Sequence, residues 1–116
     1  MQVAGRQSLT TDGIARTIRL TNGKPWTFDG VYGDRENNRH IFFKIGAPLV
    51  RAALEGSNAT LIAHGQAGTG KTYSLHDVSR LQPAAEGLAP RMLRMLLERA
   101  HAAALAGSHQ YQLSLQ

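Results

Sequence analysis

Residues 65–72 read Gly-Gln-Ala-Gly-Thr-Gly-Lys-Thr. Glycines, a lysine and a hydroxyl packed this closely suit one task, the gripping of a phosphate group. Phosphate needs many donors at short range and little steric bulk. Gly65, Gly68 and Gly70 let the backbone curl until successive N–H groups face one anion. Lys71 adds a flexible cation that reaches β- and γ-phosphates, and Thr72 adds the hydroxyl that ligates Mg²⁺. Because Mg²⁺ usually keeps several waters, one protein hydroxyl with phosphate oxygens makes a normal shell. Gln66, Ala67 and Thr69 fill the remaining loop positions, and Tyr73 follows directly. The spacing Gly-x-x-x-x-Gly-Lys-Thr rarely arises by chance in a chain of 116 residues.

Such a loop works only when a strand feeds it and a helix leaves it. "NATLIAH" (58–64) is a compact apolar run of buried-strand type, and a helix beginning near Lys71 brings its positive end to the phosphate. Further out, "ARTIRL" (15–20) alternates as a short strand and Asn22-Gly23 ends it with a turn. "WTFDGVYG" (26–33) reads as a second strand. In "DRENNRHIFFKIGAPLVRAALEG" (34–56), Phe43, Leu49, Val50, Ala53 and Leu54 recur at helical spacing, and Gly56 suits the cap. Pro48 inside that helix predicts a kink or a second start. Pro90 is placed as the first residue of a helix over "PRMLRMLLERAHAAALAG" (90–107), with Met92, Met95, Leu96 and Leu105 as its core stripe and Gly107 as its end. "YQLSLQ" (111–116) alternates like a strand. Strands alternating with helices argue for an α/β layered domain with a largely parallel sheet.

The bulk composition narrows the function. With 116 residues the chain is one domain at most, and 42% hydrophobic content fits a globular protein. It has no cysteine, so neither a disulfide framework nor a thiolate zinc site is expected. No apolar stretch approaches the roughly 18 residues of a membrane span, and residues 1–25 lack the apolar core of a signal peptide. The reading is a soluble, intracellular protein with no membrane partner. A net charge of +5 favours polyanionic partners, but the basic residues are scattered rather than run together.

Other chemistries find less support. The histidines at 40, 64, 76, 101 and 109 show no ligand spacing, and no nucleophile motif accompanies the serines. Aromatic residues are too few and dispersed for a nucleic-acid stacking platform, so nucleic acid is disfavoured as a partner. Binding phosphate is also not hydrolysis. Phosphate-loop enzymes need an acid at the end of a second apolar strand and a group that orients water. The acids after Thr72 are Asp77, Glu86 and Glu98, and none follows an apolar strand. Asp29 follows only the short run from Trp26 to Phe28. No catalytic residue is identifiable.

The flanks of the loop name a family. "FDGVYG" (28–33) resembles the kinesin signature Phe-Asp-x-Val-Phe. "GAPLVRAALEGSNATLIAHGQAGTGKTYSL" (46–75) is similar, almost position by position, to the kinesin stretch that carries the phosphate loop. "EGLAPRML" (86–93) and "YQLSL" (111–115) resemble the segments that follow it, and Gln66 is typical of the family. The resemblance implies a kinesin motor fold, a central β-sheet flanked by helices as in P-loop NTPases, and an ATP-driven microtubule motor. It implies ATP and Mg as cofactors, microtubules (tubulin) as partner of the full-length protein, and a cytoplasmic, cytoskeletal location. It places residues 65–72 on the ATP phosphates, Tyr73 near the adenine, and Asn58 at the start of the strand feeding the loop.

The departures are specific. His64 stands where the family usually has Tyr, and Ala67 where it has Thr. The family's adenine-contacting Arg-x-Arg-Pro has no counterpart in residues 1–20, and the segments that sense the γ-phosphate have none either. The expectation is therefore a poorly ordered or weak-strand segment over residues 1–25, then the N-terminal part of a motor domain over 26–116. That part should hold nucleotide without turning it over. Two rival readings remain open: a helicase-like or AAA-type ATPase fragment, and a non-catalytic degenerate motor that only binds partners.

Overall fold

A computed structural model describes residues 9–33, 35–77 and 85–107. The chain divides after Glu36 into two compact units.

The first unit is a small antiparallel sheet in the order β1-β2-β3. Strand β1 (Leu9–Asp12) pairs with β2 (Thr17–Leu20) in the register Leu9 to Leu20 and Asp12 to Thr17. The Asp12 carboxylate closes the connecting turn by accepting from the backbone N–H groups of Ile14 and Ala15, each at 2.9 Å. Strand β3 (Trp26–Thr27) adds to the other edge of β2, opposite Ile18 and Thr17. The alternation at 15–20 thus marks a real strand, entered two residues later. The strand expected over 26–33 shrinks to two residues, while Val31 beyond it is buried. Strand β1 was not expected: its Leu-Thr-Thr-Asp is exposed on both faces and so carries no apolar alternation.

The second unit is helical. Asn37 caps α1 (Asn38–Ile41) by accepting from the His40 backbone N–H at 2.9 Å. The helix runs on through a π-helical segment, Phe42–Gly46, into α2 (Ala47–Leu54). Pro48 therefore neither ends the helix nor begins a second one. A proline ring crowds the carbonyl four residues back and lacks the N–H that would bond it. A wider turn just before it absorbs that misfit, with the Ala47 N–H reaching back to the Phe42 carbonyl. The extra residue per turn also rotates the helix face. Phe42 is buried, whereas Phe43, expected on the core stripe, is 58% exposed with Arg39 over its ring. Gly56 closes α2 as expected, its N–H bonded to Ala53 and that of Ser57 to Ala52.

After the loop come α3 (Lys71–His76) and α4 (Leu88–Leu105). Leu, Met, Ala and Arg dominate α4, and all are strong helix formers. The helix starts at Leu88 rather than at Pro90. A proline at the third position costs no bond, because the first N–H groups of any helix lack intrahelical acceptors. Leu88 and Ala100 are buried, and Met92, Met95 and Leu96 are half-buried. Leu105, assigned to the same stripe, is 76% exposed because it lies in the final turn, past Ala100. Phe42, Ala47, Val50, Ala85, Leu88 and Ala100 form the core of this unit. Burying a Phe or Val side chain contributes about 1.5–3 kcal/mol. Packing of the π segment on α4 is close: a Cβ on Gly46 would sit 2.8 Å from Phe42 Cδ2 and 3.2 Å from Met92 Cγ.

Two expectations about the sheet need correction. Residues 58–64 form no strand, and Ile62 is 80% exposed. Apolar sequence alone does not make a strand: backbone groups must pair with a neighbour, and no described strand pairs with this segment. Among the described residues the sheet present is antiparallel, not largely parallel. The strand expected at 111–115 lies outside the described residues.

Candidate nucleotide site

The loop is shaped by its glycines. Gly65, Gly68 and Gly70 adopt φ values of 152°, 79° and 86°. These are conformations that L side chains rarely reach, so the spacing read from the sequence is also the spacing of the sharp bends. At Gly65 a Cβ would fall 2.9 Å from Thr69 Oγ1. Thr69 folds back on the loop, its hydroxyl donating to the Gln66 carbonyl at 2.8 Å and its N–H to the same oxygen at 3.3 Å. Gly70 turns the chain into α3, and its carbonyl takes the first helical bond, from Ser74 N–H at 2.9 Å. Residues 64–70 are all exposed, as an open binding loop requires.

Lys71 Nζ bonds to the Gly65 and Gln66 carbonyls, both at 2.7 Å. The ammonium thus sits folded across the loop it belongs to, and it holds the two loop ends together. Thr72 and Tyr73 follow on the first turn of α3, both exposed, Tyr73 at 51%. That turn has no acidic residue, so nothing there opposes an incoming anion. The nine residues proposed from sequence, 65–73, are therefore brought together as one exposed loop and helix start. Gln66 and Ala67 contribute backbone at the apex rather than any buried side chain.

Two residues that sequence reasoning missed hold α3 in place. Asn38 is 3% exposed, and its Nδ2 donates to the Ala85 carbonyl at 2.7 Å and to the Tyr73 carbonyl at 3.3 Å. One side chain thereby ties the start of α1 to the phosphate-loop helix and to the segment leading into α4. Gly87 makes the second tie, its N–H bonding the Asp77 carbonyl at 2.7 Å just past α3. A Cβ there would lie 2.6 Å from the Leu75 carbonyl carbon and oxygen. The available signals were faint: a doubled Asn opening a helix, and a Gly one residue before one.

The acids C-terminal to Thr72 lie outside the phosphate loop. Glu86 pairs with Arg94 and lies 3.9 Å from Arg91 Nη1. Asp77 closes α3, and Glu98 lies on α4. Among the described residues, no group of three or more His, Asp or Glu stands together to hold a metal, and no helix is long and apolar enough to cross a membrane.

Comparison with known proteins identifies a family. The kinesin motor domain family model matches residues 4–116. A kinesin-like protein of rice, KIN-5B, is 40% identical over 104 residues, covering 80% of this chain and 10% of its own length. The Drosophila kinesin family member NOD, solved with divalent manganese and ADP, superposes with a TM-score of 0.70 at 28% identity. That match covers 78% of this chain and 31% of NOD. A second NOD structure, docked with bovine tubulin into a map of the nucleotide-free microtubule complex, gives 0.74 at 26% identity, covering 83% and 33%. The chain thus spans about a third of the solved motors it matches and a tenth of the rice relative. Its fold is that of the kinesin motors it superposes on, and with the family model spanning nearly its whole length the chain belongs to the kinesin motor domain family.

Proposed function

We propose that residues 65–73 are the Mg–ATP phosphate site of a kinesin-type motor head, serving microtubule-based movement in the cytoplasm. The observation that carries this reading is the loop itself: three left-handed glycines deliver Lys71 and Thr72 to one exposed turn. The donor set fits the ligand. Gly65 to Gly70 cradle phosphate with backbone N–H groups, and Lys71 neutralises the β- and γ-phosphates. To do so Lys71 exchanges its two neutral carbonyl acceptors for negatively charged phosphate oxygens, which bind an ammonium more strongly. The Thr72 hydroxyl is the side-chain ligand for Mg²⁺, whose charge offsets that of the triphosphate. Tyr73, half exposed beside the loop, is the residue available to pack near the adenine. NOD, solved with ADP and docked on microtubules, supports ATP and microtubules as ligand and partner.

Calorimetric titration with Mg–ATP tests the site. Removing one charged partner of a phosphate costs about 1.5–3 kcal/mol, so Lys71→Ala should weaken binding by roughly tenfold to a hundredfold. Equal affinity in the two proteins would reject the assignment.

Holding is separable from turnover. In-line hydrolysis demands an acid behind the metal and a group that orients water, whereas Glu86 pairs with Arg94, and Asp77 and Glu98 lie at the end of α3 and on α4 rather than at the end of a strand. Residues 1–116 should therefore release no phosphate from ATP, with or without microtubules. Microtubule-stimulated release that disappears in Lys71→Ala would show that this chain carries a complete engine.

A further inference from the structure

The packed pair α2 and α4 leaves a groove of about 310 Å³ whose chemistry the nucleotide site does not use. Phe42, Ala47 and Met95 line it with apolar surface, and Arg51, Arg94 and Arg99 are among the charges at its edge. Arg39 adds another, standing 5.9 Å over the exposed ring of Phe43. The negative side is weaker. Glu86 is taken up by Arg94 and Arg91, which leaves Glu98 as the acid lining the groove. Arg51 and Arg99 are exposed, and their guanidinium groups make no hydrogen bond or ion pair with any described residue. Guanidinium groups are built to take carboxylates two bonds at a time. Here two of them flank apolar surface, and neither is paired with a carboxylate among the described residues.

We propose that this groove docks a short acidic peptide segment that carries one apolar side chain, its carboxylates pairing with Arg51 and Arg99 and its apolar residue resting on Phe42 and Met95. Charge complementarity sets the sign of the partner, and the apolar floor sets its kind. A nucleic-acid backbone would satisfy the arginines, but it has no apolar side chain for the floor and would meet Glu98 with an unbroken row of phosphates. A peptide spaces its charges and fills the floor. None of residues 65–73 lines the groove, so nucleotide is not expected to compete for it.

Fluorescence anisotropy on the intact chain tests this, with a rhodamine-labelled Glu-Glu-Phe-Glu-Glu peptide as probe. Saturable binding is expected, unchanged by Mg–ATP. The double variant Arg51→Glu/Arg99→Glu should lose at least roughly tenfold in affinity while keeping the parent's helical circular dichroism. Should that variant fold poorly, Arg51→Gln/Arg99→Gln gives the milder test, with a smaller loss in the same direction. An all-glutamate peptide should bind more weakly than the probe, as should an oligothymidylate of equal charge. No binding, unchanged affinity in the folded variants, or tighter binding of either control would overturn the proposal.

Discussion

From 64 to 70 every residue is exposed, and the loop keeps its shape through three glycine bends and one lysine folded over two carbonyls. Between residues 38 and 50 the helix buries Asn38, Phe42, Gly46, Ala47 and Val50 against its own unit. The loop is held by a few exchangeable polar bonds, the helix by packing that has no substitute. A ligand can therefore reshape the loop at little cost, whereas the helices must already be in place to aim it. The ties that place α3, the helix leaving the loop, are specific: Asn38 to the Tyr73 carbonyl and the Gly87 N–H to the Asp77 carbonyl. Changes in the platform should lower both stability and nucleotide affinity, and changes in the loop should lower affinity alone.

The largest effect is expected at Gly87. Its Cβ would overlap backbone atoms of Leu75 and Asp77, which cannot swing aside as a side-chain tip can. Gly87→Ala should cost about 3 kcal/mol, the upper range for overpacking. Urea unfolding measures it, and a variant as stable as the parent would mean that the crossing of α3 and the α4 entry is looser than described. Asn38→Ala comes next. It strips the donor from two carbonyls, one of them buried, at about 2 kcal/mol. Because Tyr73 lies on the phosphate-loop helix, Mg–ATP affinity should fall several-fold too. Intact affinity at reduced stability would break the proposed link between platform and loop. The smallest effect belongs to the loop. Gly68 has φ 79° and open space around its missing Cβ, so Gly68→Ala meets strain of about 1–2 kcal/mol and no clash. The exposed loop escapes that strain by bending differently, so the urea midpoint should stay near that of the parent, but restoring the phosphate-binding bend should lower nucleotide affinity roughly tenfold.

The same contrast explains what the sequence made legible. Phosphate loops are local: the glycines at 65, 68 and 70 bend where they stand, and Lys71 follows by spacing alone. Helix ends are equally local, so Gly56 and Gly107 fall where a cap requires them, each with positive φ. Long-range facts were not readable. Residues 58–64 have the composition of a buried strand, yet a strand exists only with a partner along its edge. Asn38 looks like one more polar residue at a helix start, and only the arrival of Ala85 and Tyr73 makes it structural. Pro48 gave notice of irregularity, but whether a helix kinks, restarts or widens into a π turn depends on what it packs against. That widening moved Phe43 off the core face and left Phe42 on it.

The central claim is that the loop holds the nucleotide while the helices hold the fold, and thermal unfolding with and without Mg–ATP tests both halves at once. Without nucleotide, the parent and Lys71→Ala should unfold at the same temperature, since the lysine's bonds are exposed ones within its own loop. At tenfold its dissociation constant, Mg–ATP should stabilise the parent by about 1.4 kcal/mol. For a domain of this size that is a rise of about 5 °C or more. The same concentration should leave Lys71→Ala nearly unmoved. Equal stabilisation of both proteins would contradict the account, because the nucleotide would then be held somewhere other than residues 65–73.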